Sequence, residues 1–151
     1  MPQSLAQSYL HIVFSTKNRQ PVFHDPALRT ELHHYLGGAC RGMACPSLVV
    51  GAMEDHVHVL CRLARTRTTS DLVRDMKRES SKWLKTKGPQ FAGFHWQDGF
   101  GAFSISPGHV EKLREYIAKQ EEHHRAESFQ DEFRRLLRLY DIEFDEQYVW
   151  D

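Results

Sequence analysis

Long apolar runs are missing from this sequence. No stretch approaches the roughly 20 residues a membrane-spanning helix requires, and Met1–Ser8 has neither the basic start nor the apolar centre of a signal peptide. Both absences predict a cytoplasmic protein with no membrane contact. Cysteine is scarce. The three present, Cys40, Cys45 and Cys61, are an odd number in no zinc-ribbon spacing, which excludes a disulfide framework and predicts reduced thiols in a core. Net charge is absent as well, 20 basic residues against 20 acidic, which argues against a protein that coats nucleic acid indiscriminately. No internal repeat or low-complexity linker interrupts the chain. At 151 residues, 40% hydrophobic and 26% charged, it has the length and composition of one globular domain spanning 1–151, in which residues 125–151 form a C-terminal helical extension.

What charge there is has been sorted along the chain. Arg62 to Lys87 carries nine Lys/Arg against three acids, a local +6, and Glu121 to Asp151 carries four Arg against ten acids, a local −6. The first region can meet phosphates and the second cannot.

Gln7–Ser15 reads as a strand from its β-branched and aromatic residues. Asp25-Pro26 opens a helix with Leu28, Leu32, Tyr35 and Leu36 at helical spacing, and Gly37-Gly38 is expected to end or loosen it. Pro46–Met53 and His56–Leu63 form a hairpin about Glu54-Asp55. In its second strand Val57, Val59 and Cys61 share one face, and His56, His58 and Leu60 the other. Thr69, Ser70 or Asp71 caps a helix running to Leu84. Phe100–Ser106 is a further strand, with Gly101 marking a bulge or a close approach of backbone. Val110, Leu113 and Ile117 stripe a helix that extends to about His124, and Phe129–Tyr140 gives one more. The order β-α-β-β-α-β-α predicts an α+β fold, a ferredoxin-like (split βαβ) antiparallel sheet with helices on one face and an added C-terminal helix.

His56 and His58, two apart on a strand, point the same way about 7 Å from each other, so two imidazoles can converge on one divalent metal. With ten histidines in the chain, spacing alone does not separate this from two partly exposed rings on a sheet. Tyr116 and Gln120, four apart on a helix, project from nearly one face beside the apolar stripe. A tyrosine so placed is commonly a core residue whose hydroxyl reaches water, but it can also be a nucleophile with a polar metal ligand one turn away. His33-His34 and His123-His124 diverge on a helix and receive no metal, His124 being at most an outer partner of the site.

These residues carry a resemblance. Asp55-His56-Val57-His58-Val59-Leu60 is similar to the histidine–hydrophobe–histidine motif of HUH endonucleases. Tyr116-Ile117-Ala118-Lys119-Gln120 resembles the Y-x-x-x-Q element of single-tyrosine transposases. Trp96 to Ser104 (WQDGFGAFS) and Tyr140 to Asp151 resemble segments of bacterial insertion-sequence and REP-associated tyrosine transposases. Together they span Tyr9 to Asp151 in the expected order.

The resemblance implies an RNA-recognition-motif-like HUH endonuclease fold and a metal-dependent transposase that cleaves and rejoins single-stranded DNA with hairpin ends. Its metal ligands would be His56, His58 and Gln120, its cofactor Mg²⁺ or Mn²⁺, and its nucleophile Tyr116, which would form a 5′-phosphotyrosine. Two imidazoles and an amide also suit zinc, cobalt or nickel, and no general base for Tyr116 is evident. A homodimer, with the option of active sites shared between protomers, would hold two ends together. The alternatives are a domesticated REP-associated HUH nuclease, a non-cleaving nucleic-acid-binding module of the same fold, and a small metal hydrolase that would not need Tyr116. In such a chain the basic face of the 71–84 helix, Arg74, Lys77, Arg78 and Lys82 with Lys85 at its exit, becomes the candidate phosphate contact. Trp83, Phe94, His95 and Trp96 are candidates for stacking on unpaired bases.

Overall fold

Both faces of the sheet carry apolar residues, so it has to be covered twice. The structure, a computed structural model describing residues 2–120, 124 and 126–151, has four strands: β1 (Ser8–Ser15), β2 (Ser47–Ala52), β3 (His56–Leu63) and β4 (Gly101–Ile105). They form one antiparallel sheet in the order β2-β3-β1-β4. Among the described residues four α-helices accompany it: α1 (Pro26–Gly42), α2 (Thr69–Lys85), α3 (Val110–Ala118) and α4 (Phe129–Leu139).

The fold is the expected α+β, split βαβ arrangement. On one face Leu10, Ile12, Phe14, Val57, Val59 and Cys61 pack under α1 and α2. The expectation of helices on one face holds for these two crossover helices. The opposite face also presents Val13, Leu60, Phe103 and Ile105, and α3 and α4 bury it with Ile117, Phe129, Phe133 and Leu136. Leaving such a face in water would forgo roughly 25 cal/mol for each Å² of apolar surface. This second layer carries the site.

Local chemistry explains the element ends. Asp25 caps α1 by accepting from Ala27 N at 2.9 Å, ahead of Pro26 at the first helical position. The cap of α2 is Thr68, one residue before the three expected, and it accepts from Asp71 N at 3.0 Å. Ser128 caps α4. Gly37-Gly38 does not end α1. The helix continues to Gly42 because Cys40 on the next turn is fully buried, and because a side chain at 37 would press on Ser47 Oγ, 3.3 Å away, where α1 crosses β2. Helix α3 ends at Ala118 and Gln120 is again helical; residues 121–123 of the stretch expected to run to about His124, His123 among them, lie outside the described residues.

Cys40, Cys45 and Cys61 are buried free thiols. Cys40 Sγ lies 3.3 Å from Met76 Sδ, and Cys45 Sγ accepts from Ala64 N at 3.2 Å. Among the described residues no helix is long and apolar enough to cross a membrane.

Candidate active site

The antiparallel register sets His58 of β3 opposite Val13 of β1 and Gly51 of β2. His56 and His58 point to the face covered by α3 and α4, and there both rings are buried, 1% and 0% exposed. Each Nδ1 is taken up from within the protein: Asp55 Oδ1 lies 2.7 Å from His56 Nδ1, and His11 Nε2 of β1 lies 2.7 Å from His58 Nδ1. Each Nε2 is thereby aimed at a common point.

At that point stands Glu132 of α4, wholly buried. Its Oε1 is 2.8 Å from His58 Nε2, 3.1 Å from His124 Nε2 and 3.4 Å from His56 Nε2. His124 Nδ1 in turn donates to Glu127 O at 2.7 Å. The ligand atoms of His56, His58, His124 and Glu132 all lie within 4.8 Å of one another, a grouping that could hold a divalent metal. Sequence reasoning gave His124 at most an outer place and passed over Glu132 and His11. One signal was available for Glu132: it falls on the same helical stripe as Phe129, Phe133 and Leu136, where an acid is out of place unless it has partners.

Tyr116 reaches the same carboxylate. Its hydroxyl donates to Glu132 Oε2 and accepts from Arg135 Nη2 at 2.7 Å, and its ring stands edge-on to His58 at 6.2 Å. Gln120 is 3% exposed, one turn beyond, and lies across Gly51, whose missing side chain makes room for it. The Gln120 Nε2 donates weakly to Tyr116 O at 3.4 Å, while its buried Oε1 has no hydrogen-bond partner among the described residues. The Gln120 amide lines a cleft with His33, Gly51 and Ile117, while the converging imidazole nitrogens and the Glu132 carboxylate are donors of the kinds that bind a divalent cation. The residues present therefore fit a metal.

The electrostatics are those of a closed cluster. Burial alone would raise the Glu132 carboxyl, but the His58 ring and the bonds from His124 and His56 hold it far below the ordinary range, so it is ionised. Burial pulls His58 and His11 below the usual imidazole value. It pulls on His56 too, but Asp55 and Glu132 outweigh it and lift that ring overall. Burial and then the Glu132 carboxylate push the Tyr116 phenol well above its ordinary value, against the pull of Arg135. In this arrangement Tyr116 is a neutral phenol held in place.

The basic face of α2 divides in two. Arg74 pairs with Asp71 at 3.2 Å, Arg78 with the largely buried Asp75 at 3.1 Å, and Lys82 approaches Glu79 at 3.9 Å, the three basic groups themselves being exposed. Lys77 turns the other way. Its ammonium donates to Gln97 O at 2.8 Å, Asp98 O at 3.2 Å and Gly99 O at 2.7 Å, and lies over the Phe14 ring. Burial brings its pKa down to about 8. Trp83 stacks on Tyr35 of α1, ring centroids 5.1 Å apart. A cleft of about 360 Å³ between α2 and the 95–100 loop is lined by Arg74, Lys77, Arg78, His95 and Trp96.

The Trp96–Ser104 segment is a junction. Trp96 Nε1 donates to Ser80 Oγ at 3.0 Å, Gln97 Oε1 accepts from Ser15 N at 2.8 Å, and Gly99 N donates to Asp151 O at 2.9 Å. The guanidinium groups of Arg19 and Arg134 each lie over the Trp150 ring. The two stretches singled out at 96–104 and 140–151 thus fasten each other down.

A family model for IS200-like transposases matches residues 4–120. No curated protein matches the chain. Among solved structures, a protein of Deinococcus radiodurans R1 designated a transposase is 20% identical with a TM-score of 0.62, over 80% of this chain and 95% of that one. A REP-associated tyrosine transposase bound to a REP hairpin is 14% identical with a TM-score of 0.60, over 82% of this chain and 73% of that one. At these identities the two structures speak for the fold alone.

Proposed function

The chain belongs to the IS200-like transposase family, and we propose that it cleaves and rejoins hairpin-bearing single-stranded DNA by covalent catalysis at Tyr116. The observation that carries the reading is the meeting of Tyr116, His56 and His58 about one buried carboxylate.

Tyr116 Oη attacks phosphorus, the bond to the 3′-oxygen breaks, and the products are a 5′-phosphotyrosine and a free 3′-hydroxyl. The ester keeps the bond energy, so a later 3′-hydroxyl can reverse the step and join strands without a nucleotide cofactor. Mg²⁺ or Mn²⁺ held by His56 and His58, with Gln120 as the third ligand, would neutralise the phosphodiester and polarise the breaking bond. Arg135, already bonded to the Tyr116 oxygen, is placed to steady negative charge there. Arg74, Arg78 and Lys82 meet the backbone of the bound strand, while Lys77 holds the loop that walls their cleft and Trp83 braces α2 against α1.

Tyrosine and histidines of one chain meet in this arrangement, which supports a site assembled in cis. A homodimer is still the simplest way to hold two ends for joining; light scattering on the purified protein tests it, and a monomer at tens of micromolar with an intact joining activity would remove it. The reading as a whole is tested by incubating the protein with end-labelled hairpin single strands and Mg²⁺ or Mn²⁺. A covalent protein–DNA adduct that migrates with the 5′ side of the cut is expected. Binding without an adduct would favour a non-cleaving module of the same fold.

A further inference from the structure

Four donors at one point are more than a histidine pair needs. The three Nε2 atoms stand 2.8, 3.1 and 3.4 Å from Glu132 Oε1, and those of His56 and His124 are 3.1 Å apart. Donors each about 2.0–2.1 Å from one ion at tetrahedral angles are separated by about 3.3 Å. His56, His58 and Glu132 are buried and His124 is half-buried, and each ring's far nitrogen is engaged by Asp55, His11 or Glu127 O. That outer layer is how proteins fix ligating imidazoles, since it leaves Nε2 free to face the ion.

We propose that in the DNA-free protein His56, His58, His124 and Glu132 form a four-donor site for a transition-metal dication, with Glu132 and His124 as ligands beside the histidine pair. This rests on the reading of a metal-dependent site above, and it changes what that site selects. Three nitrogens and one carboxylate oxygen suit Mn²⁺, Co²⁺ or Zn²⁺. They suit Mg²⁺ poorly, because that ion demands six ligands, nearly all oxygen, and keeps several waters. Four protein donors also close a tetrahedral shell, so a phosphate oxygen must take over one of these places when DNA arrives.

The test uses the full chain, stripped of metal and free of DNA, titrated with Co²⁺ while its visible absorption is followed. Expected are one ion bound for each chain, the intense bands of four-coordinate Co²⁺, and no displacement by a large excess of Mg²⁺. Glu132→Gln and His124→Ala should each weaken binding by about tenfold or more, with far-UV circular dichroism unchanged. Weak octahedral bands in the unaltered protein, ready displacement by Mg²⁺, or affinity unchanged in both Glu132→Gln and His124→Ala would overturn the proposal. The bands of the unaltered protein decide the matter even where a variant fails to fold. The two readings fail separately: full Co²⁺ bands with no covalent adduct defeat the nucleophile reading and keep this site, and an adduct without the bands does the reverse.

Discussion

Tyr116 and His58 hold opposite oxygens of the same carboxylate: the phenol donates to Glu132 Oε2, and His58 Nε2 lies 2.8 Å from Glu132 Oε1. The nucleophile and the histidine pair are thus tied within one chain. A mixture of Tyr116→Phe and His56→Ala proteins should therefore fail to form an adduct in a demonstrated heterodimer, since each chain carries one broken site. Restored cleavage would mean that α3 serves its partner's histidines instead.

Tyr116→Phe alone should fold normally and bind DNA while forming no adduct, because it removes one oxygen and keeps the ring against His58. Denaturing electrophoresis of reactions with labelled DNA reads the adduct directly. Wild-type cleavage by this variant would end the tyrosine mechanism.

Gly51 should tolerate no side chain. A Cβ there would stand 2.8 Å from both Cγ2 and the carbonyl oxygen of Ile117 and 3.3 Å from Gln120 Cγ, so Gly51→Ala would push α3 off the sheet. The expected cost is about 1–3 kcal/mol in denaturant unfolding. Adduct formation should fall by a larger factor than the reduced folded fraction explains, because Tyr116 and Gln120 move with the helix.

The two kinds of lysine and arginine on α2 should part company under salt. Neutralising Arg74, Arg78 and Lys82 should lower the slope of log affinity against log salt, by about 0.7 for each single-strand phosphate that is no longer neutralised. Lys77→Met should instead cost about 1–3 kcal/mol of stability by freeing the Gln97–Gly99 carbonyls. Mobility shifts at several salt concentrations and thermal melts separate the two effects.

Acid should expose His11. Its folded-state pKa is depressed below 6.5 by burial first and by His58 second, so below that pH the unfolded chain takes up a proton that the native ring refuses. Stability contributed in this way is present above pH 6.5 and lost as pH falls. His11→Phe keeps a ring against Phe103 and His58 but cannot take up that proton in either state. Its Tm should lie below wild type at neutral pH and the gap should narrow toward about pH 5. Parallel Tm curves would show that His11 is protonated equally in both states.

Periodicity carried the strands, the four helices and the pairing of Val57, Val59 and Cys61 against His56, His58 and Leu60, since burial on a two-sided sheet imposes a period of two. Gly37-Gly38 misled because local propensity costs only about 1 kcal/mol for each glycine, less than the burial of Cys40 on the next turn returns. Glu132 was hidden by distance: it is 74 residues from His58, in a segment whose excess of acids reads as solvated. Lys77 looked like its neighbours on α2, and only the fold of the 96–99 loop around it shows which way its ammonium turns.

The buried thiols have a practical consequence. Burial pushes Cys40 up to about 12 and raises Cys61 as well, and Cys45 has no exposed surface. Because alkylating reagents attack thiolate, the folded chain behaves toward a maleimide as though it contained no cysteine. A single cysteine placed at exposed Lys112 on α3 or exposed Arg138 on α4 would then take a fluorophore alone, without prior removal of the native three. Two such labels would turn the separation of the tyrosine helix from the glutamate helix into an optical signal, readable while DNA is added.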